Sequence, residues 1–218
     1  MLSKLSHTRA LIYTGGNLGP WALDCIDSKD YIIGADRGAE FLIANGVTPH
    51  LALGDFDSIT PGQLQHIASI TSELLTCDAI DKDWTDTELA VREAISRGYH
   101  EVIVLGALGT RFDHGLGNVH LLRQASEQGC NLTLIDEHNE IRLCTDSLRL
   151  EANSHFPYTS LLPLTLEVTG VTLVGFRYPL KDATLKLGWS LGISNVLEDV
   201  QGTVSISDGL LLVIRSRD

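Results

Sequence analysis

The stretch Leu53-Gly54-Asp55-Phe56-Asp57-Ser58 presents two carboxylates one residue apart, directly after a short apolar run that begins at His50. Alternate residues of an extended segment point the same way, so Asp55 and Asp57 can aim at one point while Phe56 turns toward the core. Two converging aspartates repel each other unless a cation lies between them, and oxygen ligands of this kind suit Mg2+. A solvated acidic turn is the alternative interpretation of such a pair.

Short apolar runs alternate with helical patterns from residue 10 to about residue 136, which predicts an α/β domain with a mainly parallel sheet. The predicted strands are Ala10–Thr14, Tyr31–Ala35, His50–Leu53, Glu73–Cys77, Val102–Gly106 and Leu132–Asp136. The clearest helical patterns cover Thr85–Arg97 and Gly115–Gln128. Ligands bind outside the carboxyl ends of the strands in such sheets, so residues that follow strands are candidate site residues.

Polar or glycine-rich segments follow the first five predicted strands. These segments are Gly15-Gly16-Asn17, Asp36-Arg37-Gly38, Asp55-Phe56-Asp57-Ser58, the run Asp81-Lys82-Asp83-Trp84-Thr85-Asp86, and Gly106 to His114 with Arg111 and Asp113. Glycine turns let backbone N–H groups approach a phosphate ahead of a helix, and an arginine offers a planar fork for phosphate oxygens. Carboxylates, glycine turns, a lysine and an arginine together suit a Mg-nucleotide reaction, which depends on positioning and charge neutralisation.

Several of these residues also have ordinary structural interpretations. Asp36 could simply cap the helix that begins beside it. Thr85 is expected to be a helix N-cap with Glu88 at the capping-box position. His114, at a predicted helix start, suits local hydrogen bonding as well as it suits catalysis, and Lys82 could answer a phosphate or soften the repulsion among its acidic neighbours.

The composition of the 218-residue chain fits an ordinary globular protein, with 44% hydrophobic residues. A net charge of −12 argues against a broad nucleic-acid or anionic-membrane surface. Residues 1–140 contain nine Lys and Arg and twenty Asp and Glu. This excess of acidic residues is compatible with a metal site and equally with a solvated acidic surface. Four cysteines without C-x-x-C spacing, and no signal-peptide or membrane-span pattern, predict free thiols in a cytoplasmic protein.

The pattern changes after about residue 140, where short β-rich runs replace the helical periodicity. The predicted strands are Leu164–Val168, Val171–Val174, Thr184–Lys186, Gly202–Ile206 and Leu210–Ile214. Ser207-Asp208-Gly209 is a hairpin signal, and residues 137–147 are expected to form a short polar hinge. We therefore predict an α/β catalytic domain at 1–140 and a small jelly-roll-like β-sandwich at 141–218.

The ordered motifs resemble the thiamine pyrophosphokinase (thiamine diphosphokinase) family over nearly the whole chain. They are Gly34-Ala35-Asp36-Arg37-Gly38-Ala39, Gly54-Asp55-Phe56-Asp57-Ser58, Asp81-Lys82-Asp83-x-Thr85-Asp86, Gly109-x-Arg111-Phe112-Asp113-His114, Gly175-Phe176-Arg177-Tyr178-Pro179-Leu180, Gly192-Ile193-Ser194-Asn195 and Gly209-Leu210-Leu211-Leu212-Val213-Ile214. The resemblance implies transfer of the pyrophosphoryl group of ATP to thiamine, with Mg2+, giving thiamine diphosphate and AMP. It also implies a homodimer whose thiamine pocket lies between the α/β domain of one subunit and the β domain of the other.

The resemblance also implies roles for individual residues. Asp55, Asp57 and Asp86 are expected at the metal, with Asp36 and Asp113 as further catalytic or substrate-orienting acids. The thiamine hydroxyl must lose a proton as it attacks, and our own hypothesis is that Asp86 or Asp113 accepts it. The expected nucleotide contacts are Gly15, Gly16, Asn17, Arg37, Lys82, Asp83, Thr85, Arg111 and His114. Tyr178, Ser194 and Asn195 are expected beside thiamine, although Val196 stands where a glutamate is common in the family.

Three other functions remain as alternatives. A thiamine or nucleotide sensor would keep the pocket and lose turnover, but a mere binder gains little from so many carboxylates that repel one another. A Mg-dependent phosphohydrolase would carry its aspartate pair after the first strand, where this chain has Gly15-Gly16. The third alternative is a pyrophosphokinase for another alcohol, such as a pterin. Only the β domain favours thiamine over such a substrate.

Overall fold

A computed structural model describes residues 9–76 and 83–218, and the chain divides into two compact units, Met1–Glu137 and His138–Asp218. The first unit contains a parallel sheet flanked by helices, and the second contains antiparallel strands alone. Among the helices of the described residues, none has both the length and the apolar character that crossing a bilayer requires.

Six parallel strands form the sheet of the first unit, in the order β6-β5-β1-β2-β3-β4. They are β1 (Arg9–Tyr13), β2 (Asp30–Ala35), β3 (Leu51–Gly54), β4 (Glu73–Thr76), β5 (Glu101–Leu105) and β6 (Asn131–Ile135). All six predicted strands are confirmed to within about one residue at each end; Cys77, predicted in the fourth, lies outside the described residues. The strand order reverses direction at β1, so the carboxyl ends of β1 and β5 flank the switch point where α/β sheets bind ligands.

Five helices connect these strands. They are α1 (Pro20–Leu23), α2 (Arg37–Ala44), α3 (Pro61–Ile70), α4 (Asp86–Ser96) and α5 (Phe112–Glu127). The predicted helix at Thr85–Arg97 is confirmed as α4, and α5 begins three residues before the predicted Gly115. Pro61 sits at the first position of α3 behind a Thr60 capping box, an arrangement that pre-sets the helical backbone.

Helix α2 packs unusually close to the sheet because glycines lie at its contacts. A Cβ on Gly38 would come within 1.9 Å of the carbonyl oxygen of Tyr13, and one on Gly34 within 2.5 Å of the Cα of Ala39. Only glycine allows such an approach between backbones. The contact brings the start of α2, and with it Asp36, to the carboxyl ends of β1, β2 and β3.

The edge strand β4 is tied to the rest of the unit by Arg97, which follows the last residue of α4. The guanidinium donates to both carboxylate oxygens of Glu73 at 2.9 and 2.8 Å, and to the hydroxyl of Tyr31 at 2.9 Å. Such a two-pronged pair fixes orientation as well as distance. The clamp therefore joins α4 to β4 and β2, and so sets where α4 lies along the sheet.

The second unit is a β-sandwich, as predicted. Its strands are β7 (Asn139–Cys144), β8 (Ser147–Glu151), β9 (Tyr158–Pro163), β10 (Glu167–Val174), β11 (Ala183–Lys186), β12 (Asn195–Val196), β13 (Gln201–Ser205) and β14 (Leu211–Ser216). They pair antiparallel in the orders β12-β9-β14-β7 and β11-β10-β13-β8. The core between the two layers contains Leu161 and Val213 from one and Val171 and Val204 from the other.

Three local predictions for the second unit are wrong. Residues 164–166 form a turn rather than the start of a strand, and β10 continues through Gly170, which adopts φ 67°. Ser207-Asp208-Gly209 does not close a hairpin, because β13 pairs with β8 and β10 whereas β14 pairs with β7 and β9. The segment expected as a hinge contains β7, whose polar residues at 139, 140 and 142 conceal its strand character.

Candidate active site

A cleft of about 600 Å³ opens at the carboxyl ends of the central strands of the first unit. The loops after β1, β2 and β5 form its walls, together with the start of α4 and the first turns of α5. Its lining residues are Thr14, Gly15, Gly16, Ala35, Asp36, Asp83, Trp84, Thr85, Asp86, Thr87, Gly106, Ala107, Gly109, Thr110, Arg111, His114 and Asn118. The cleft therefore lies where the strand order of the sheet predicts a ligand site.

Three carboxylates converge beside this cleft. One oxygen each from Asp36, Asp55 and Asp57 can be chosen so that all three lie within 4.8 Å of one another. Phe56 is buried beside Ile67, as predicted, but it adopts φ 54°, so the flanking aspartates converge through a turn and not by alternation along an extended segment. Because Asp36 also lines the cleft, the carboxylate group is continuous with the cavity.

Asp36 has an unusual backbone and an unusual side-chain environment. It adopts φ 49° and ψ −121°, and its N–H donates to the carbonyl of Leu53 at 2.9 Å. The alternative that it merely caps α2 is wrong, because its side chain makes no capping hydrogen bond. Oδ2 instead accepts from the hydroxyl of Ser58 at 2.6 Å, and Oδ1 is buried with no hydrogen-bond partner among the described residues.

This arrangement fits a divalent cation. A buried carboxylate oxygen without a partner is costly, and three carboxylates so close together repel one another. Oxygen ligands alone favour a hard ion such as Mg2+ over a thiol-seeking metal. The donor set and the unsatisfied Oδ1 of Asp36 therefore both fit a cation, which Asp36, Asp55 and Asp57 could hold together.

Asp86, predicted as the third metal ligand, lies in the first turn of α4 outside this group of three. Its Oδ1 is 3.3 Å from the position that a Cβ on Gly54 would occupy, so the glycine leaves room for the carboxylate. Thr85 is confirmed as the N-cap, because its side-chain oxygen accepts from the N–H of Glu88 at 3.2 Å. The Glu88 carboxylate accepts from Arg92 at 3.0 Å, farther along the helix.

The first glycine turn lines the cleft through Gly15 and Gly16, whereas the exposed Asn17 does not. A Cβ on Gly16 would lie 1.9 Å from the carbonyl oxygen of Gly106, so the loops after β1 and β5 meet here. The helix expected directly after this turn is only four residues long and begins at Pro20. A phosphate at the turn would therefore meet loop N–H groups rather than a helix N-terminus.

Arg111 and Asp113 form an ion pair at the start of α5, with 2.6 Å between the guanidinium and the carboxylate. Both side chains are about two-thirds exposed. The Arg111 hydrogen bond lowers the pKa of the Asp113 carboxyl to about 2, with a smaller contribution from the backbone N–H of His114. Arg111 and His114 line the main cleft, whereas Asp113 lines a separate cavity of about 160 Å³ beside it.

The residues expected beside thiamine lie together in the second unit. The Asn195 side chain is buried and brackets the backbone of Tyr178: its Oδ1 accepts from the N–H at 3.1 Å, and its Nδ2 donates to the carbonyl at 2.8 Å. Tyr178 is 61% exposed, and the neighbouring Ser194 adopts φ 57°. Asn195 therefore holds the loop that presents an exposed aromatic ring.

Some predicted residues lie elsewhere, and some cleft residues were missed. Arg37 is exposed and outside the cleft lining, and Lys82 lies outside the described residues. Sequence reasoning did not identify Thr14, Trp84 and Thr87 as cleft residues. Position offered a signal for Thr14, which directly follows β1, and for Trp84, the one large apolar residue inside the acidic run that precedes α4.

Two family profiles cover most of the chain. The family described as "Thiamin pyrophosphokinase, catalytic domain" matches residues 22–134, and the one described as "Thiamin pyrophosphokinase, vitamin B1 binding domain" matches residues 146–211. The thiamine pyrophosphokinase of Bacillus subtilis is 35% identical over 210 residues, which are 95% of this chain and 98% of that protein.

Solved structures agree with these matches. A crystal structure of thiamine pyrophosphokinase from Bacillus subtilis has a TM-score of 0.88 at 33% identity, covering 96% of this chain and 99% of the other. One of thiamin pyrophosphokinase from Geobacillus thermodenitrificans has a TM-score of 0.85 at 31% identity, covering 96% and 97%. Yeast thiamin pyrophosphokinase shares the fold at 14% identity, with a TM-score of 0.78 and coverage of 97% and 87%.

Proposed function

Because the chain belongs to the thiamine pyrophosphokinase family, we propose that it transfers the pyrophosphoryl group of ATP to the hydroxyl of thiamine. The hydroxyl oxygen forms a bond to the β-phosphorus, and the bond from that phosphorus to the oxygen bridging the α- and β-phosphates breaks. The products are thiamine diphosphate and AMP, and the hydroxyl proton passes to a carboxylate.

The observation that carries this proposal is the convergence of Asp36, Asp55 and Asp57 beside the cleft, with one Asp36 oxygen buried and unsatisfied among the described residues. We propose that these three residues would hold Mg2+, with Asp86 facing the same space across Gly54. When bound, the cation supplies charge neutralisation to the phosphate oxygens. The three carboxylates orient the cation. The hydroxyl of Ser58 donates to Oδ2 of Asp36 and so fixes one of these carboxylates.

We propose Asp86 rather than Asp113 as the group that accepts the hydroxyl proton. Asp86 lines the cleft, whereas Asp113 lines the adjoining cavity. The Arg111 hydrogen bond lowers the pKa of Asp113 to about 2, which makes that carboxylate a weak proton acceptor near neutral pH. Asp113 then serves to orient Arg111, whose remaining N–H groups are available to phosphate oxygens.

The remaining nucleotide contacts of the proposal come from the loops around the cleft. Gly15 and Gly16 lie on its wall, and Asp83, Thr85 and His114 also line it. The glycine turn suits close approach of a phosphate because no side chain screens its N–H groups. Asn17 and Arg37 stay predictions as second contacts around the turn, and Lys82 stays a prediction from its place in the acidic run.

On the thiamine side, we propose that the exposed ring of Tyr178 meets the cationic, stackable thiazolium, with Ser194 beside it and Asn195 holding the loop. We propose a homodimer in which this loop reaches the cleft of the other subunit. The strongly exposed Leu187, Trp189 and Leu191 of the second unit support an interface, since apolar surface of this kind marks contact sites. The cytoplasmic location stays a prediction from the cysteine pattern.

The test is a product assay with purified protein, ATP, Mg2+ and thiamine. We expect AMP and thiamine diphosphate only when thiamine is present. Asp36→Asn keeps the size of the side chain but removes one of the three converging charges, so we expect activity to fall about 100-fold or more. Asp24→Asn, at an exposed aspartate that ends α1, is the matched control and should keep full activity.

ADP as the nucleotide product would overturn the reaction, because it means transfer of the γ-phosphoryl group instead. If AMP formed with a pterin alcohol but not with thiamine, the protein would be a pyrophosphokinase for that alcohol instead. Full activity of Asp36→Asn would contradict the proposed cation site, and the proposed reaction would still stand.

A further inference from the structure

Trp84 lines the cleft but has no role in the metal binding or proton transfer proposed for the carboxylates. It lies two residues before Asp86, lines the 600 Å³ cleft and is 43% exposed. A tryptophan that serves only as core is largely buried, and large apolar rings that stay exposed in a cleft are characteristic of ligand contact. Among the residues that line the cleft, Trp84 offers the largest flat apolar surface.

One face of the Trp84 indole contacts Arg92, and hydrogen bonds hold this arginine in place. The guanidinium carbon of Arg92 lies 4.6 Å from the ring centroid. Arg92 is held in turn by Glu88, whose Oε1 accepts from its Nε at 3.0 Å. The same oxygen accepts from the side-chain amide of Gln124 on α5 at 3.3 Å. These contacts fix the arginine between α4 and α5, so one face of the indole is covered by a positioned cation.

We propose that Trp84 binds the adenine base of ATP by stacking, and so is a specificity-determining residue for the nucleotide; this rests on the proposed reaction. One face of the ring is covered by Arg92, and the exposed part of the side chain, which lines the cleft, is the surface offered to a planar ligand. Base stacking on an aromatic side chain is a strong and common interaction for nucleotides. Its place beside Asp83, Thr85 and Asp86 puts the base in the same cleft as the proposed phosphate contacts.

The cation–π contact with Arg92 makes adenine a better ligand than thiamine for the indole of Trp84. Thiamine carries a cationic thiazolium, and a cation prefers an indole whose electron-rich face is not already serving another cation. The guanidinium 4.6 Å from the ring centroid already occupies one face of the π system, so a second cation on the opposite face gains less from the indole. This holds although Glu88 pairs with Arg92 and thereby weakens its long-range field. Adenine is neutral, and its stacking does not depend on that gain. The arrangement therefore favours the nucleotide base over thiamine at Trp84.

The test measures binding without turnover. The affinities of wild type, Trp84→Ala and Trp84→Phe for Mg-ATP and for Mg-tripolyphosphate, which lacks base and ribose, are determined by calorimetry without thiamine. Loss of one stacked base weakens binding by about tenfold or more, so we expect that loss for ATP with Trp84→Ala. Tripolyphosphate affinity should change by less than about twofold, since phosphate contacts do not involve the ring. Trp84→Phe keeps a stacking face and should stay close to wild type.

Equal weakening of ATP and tripolyphosphate binding in Trp84→Ala would overturn the proposal, because the ring would then only support the cleft. Unchanged ATP affinity in Trp84→Ala would overturn it, and a raised KM for thiamine in the product assay would then assign the ring to thiamine. A wild type that binds ATP more tightly than tripolyphosphate but forms no AMP would refute the proposed reaction and leave the stacking proposal standing. The two failures are therefore separable.

Discussion

Arg111 and Asp113 show how an exposed pair can set the protonation of one side chain. The pKa of Asp113 is about 2 because Arg111 hydrogen-bonds its carboxylate. We predict that Arg111→Gln raises this pKa toward the ordinary aspartate value of about 4. Carbon-detected NMR titration of the Asp113 carboxyl in both proteins measures the shift. An unchanged midpoint would mean that Arg111 does not contact Asp113 in solution.

The sign of the associated stability effect follows from the direction of the shift. The folded pKa of Asp113 is below its unfolded value, so any stabilisation from the pair is fully present above about pH 4. It is lost as the pH falls toward 2. Because both side chains are mostly exposed, solvent screens the pair and the effect on unfolding is small.

The sequence allowed part of the carboxylate group to be predicted. The convergence of Asp55 and Asp57 was predicted from alternation along an extended segment, but Phe56 adopts φ 54° and residues 57–58 form a turn, so the two carboxylates come together through the turn instead. Asp36 joins them through a backbone conformation with φ 49°, which is rare outside glycine and has no sequence signature in an aspartate. The position of Trp84 in the acidic run offered a signal that it lines the cleft, but its proposed part in binding could not be predicted, because that depends on Arg92 lying over the ring.

At the scale of elements, the glycine contact between α2 and β1 is open to a direct test. We predict that Gly38→Ala destabilises the protein by about 3 kcal/mol or more, because its Cβ would lie 1.9 Å from the Tyr13 carbonyl oxygen. Urea unfolding measures the change. Gly115→Ala in α5 is the matched control: a Cβ there meets nothing within 4 Å, and helix propensity favours alanine by about 0.5–1 kcal/mol. Equal effects of the two substitutions would contradict the proposed close contact.

The strands differ in how well the sequence predicts them, for a physical reason. The inner strands of the first unit are largely buried on both faces, so they are continuous apolar runs with clear ends, as in β1 and β3. Strand β7 is polar at Asn139, Glu140 and Arg142, and its pairing with β14 depends on residues about 70 positions away. The Ser207–Gly209 turn has the composition of a hairpin, but its flanking strands find partners in different layers.

At the scale of the whole molecule, the proposed shared site predicts complementation between two inactive variants. Asp55→Asn removes a carboxylate of the first unit, and Tyr178→Ala removes the aromatic ring of the second. If each site combines units from two subunits, a mixed dimer holds one doubly defective site and one intact site. Random pairing on co-expression then restores about a quarter of wild-type activity per site.

Product assays of the two single variants and of the co-expressed pair measure this effect, with chain mass checked by light scattering against the 23.7 kDa monomer. Activity no higher than that of either variant alone, in a sample shown to contain mixed dimers, would mean that each site is built within one chain. The dimer itself would then still stand.

Strand β14 lies between β7 and β9, so the last strand of the chain fills the middle of its layer. A nascent chain can form the parallel sheet of the first unit while still being synthesised, since β1 to β6 are complete by Ile135. The sandwich cannot be completed before Leu211–Ser216 has left the ribosome, because both β7 and β9 pair with these residues. Premature termination within this strand would therefore leave two unpaired strand edges facing each other, which is a recognised route to aggregation.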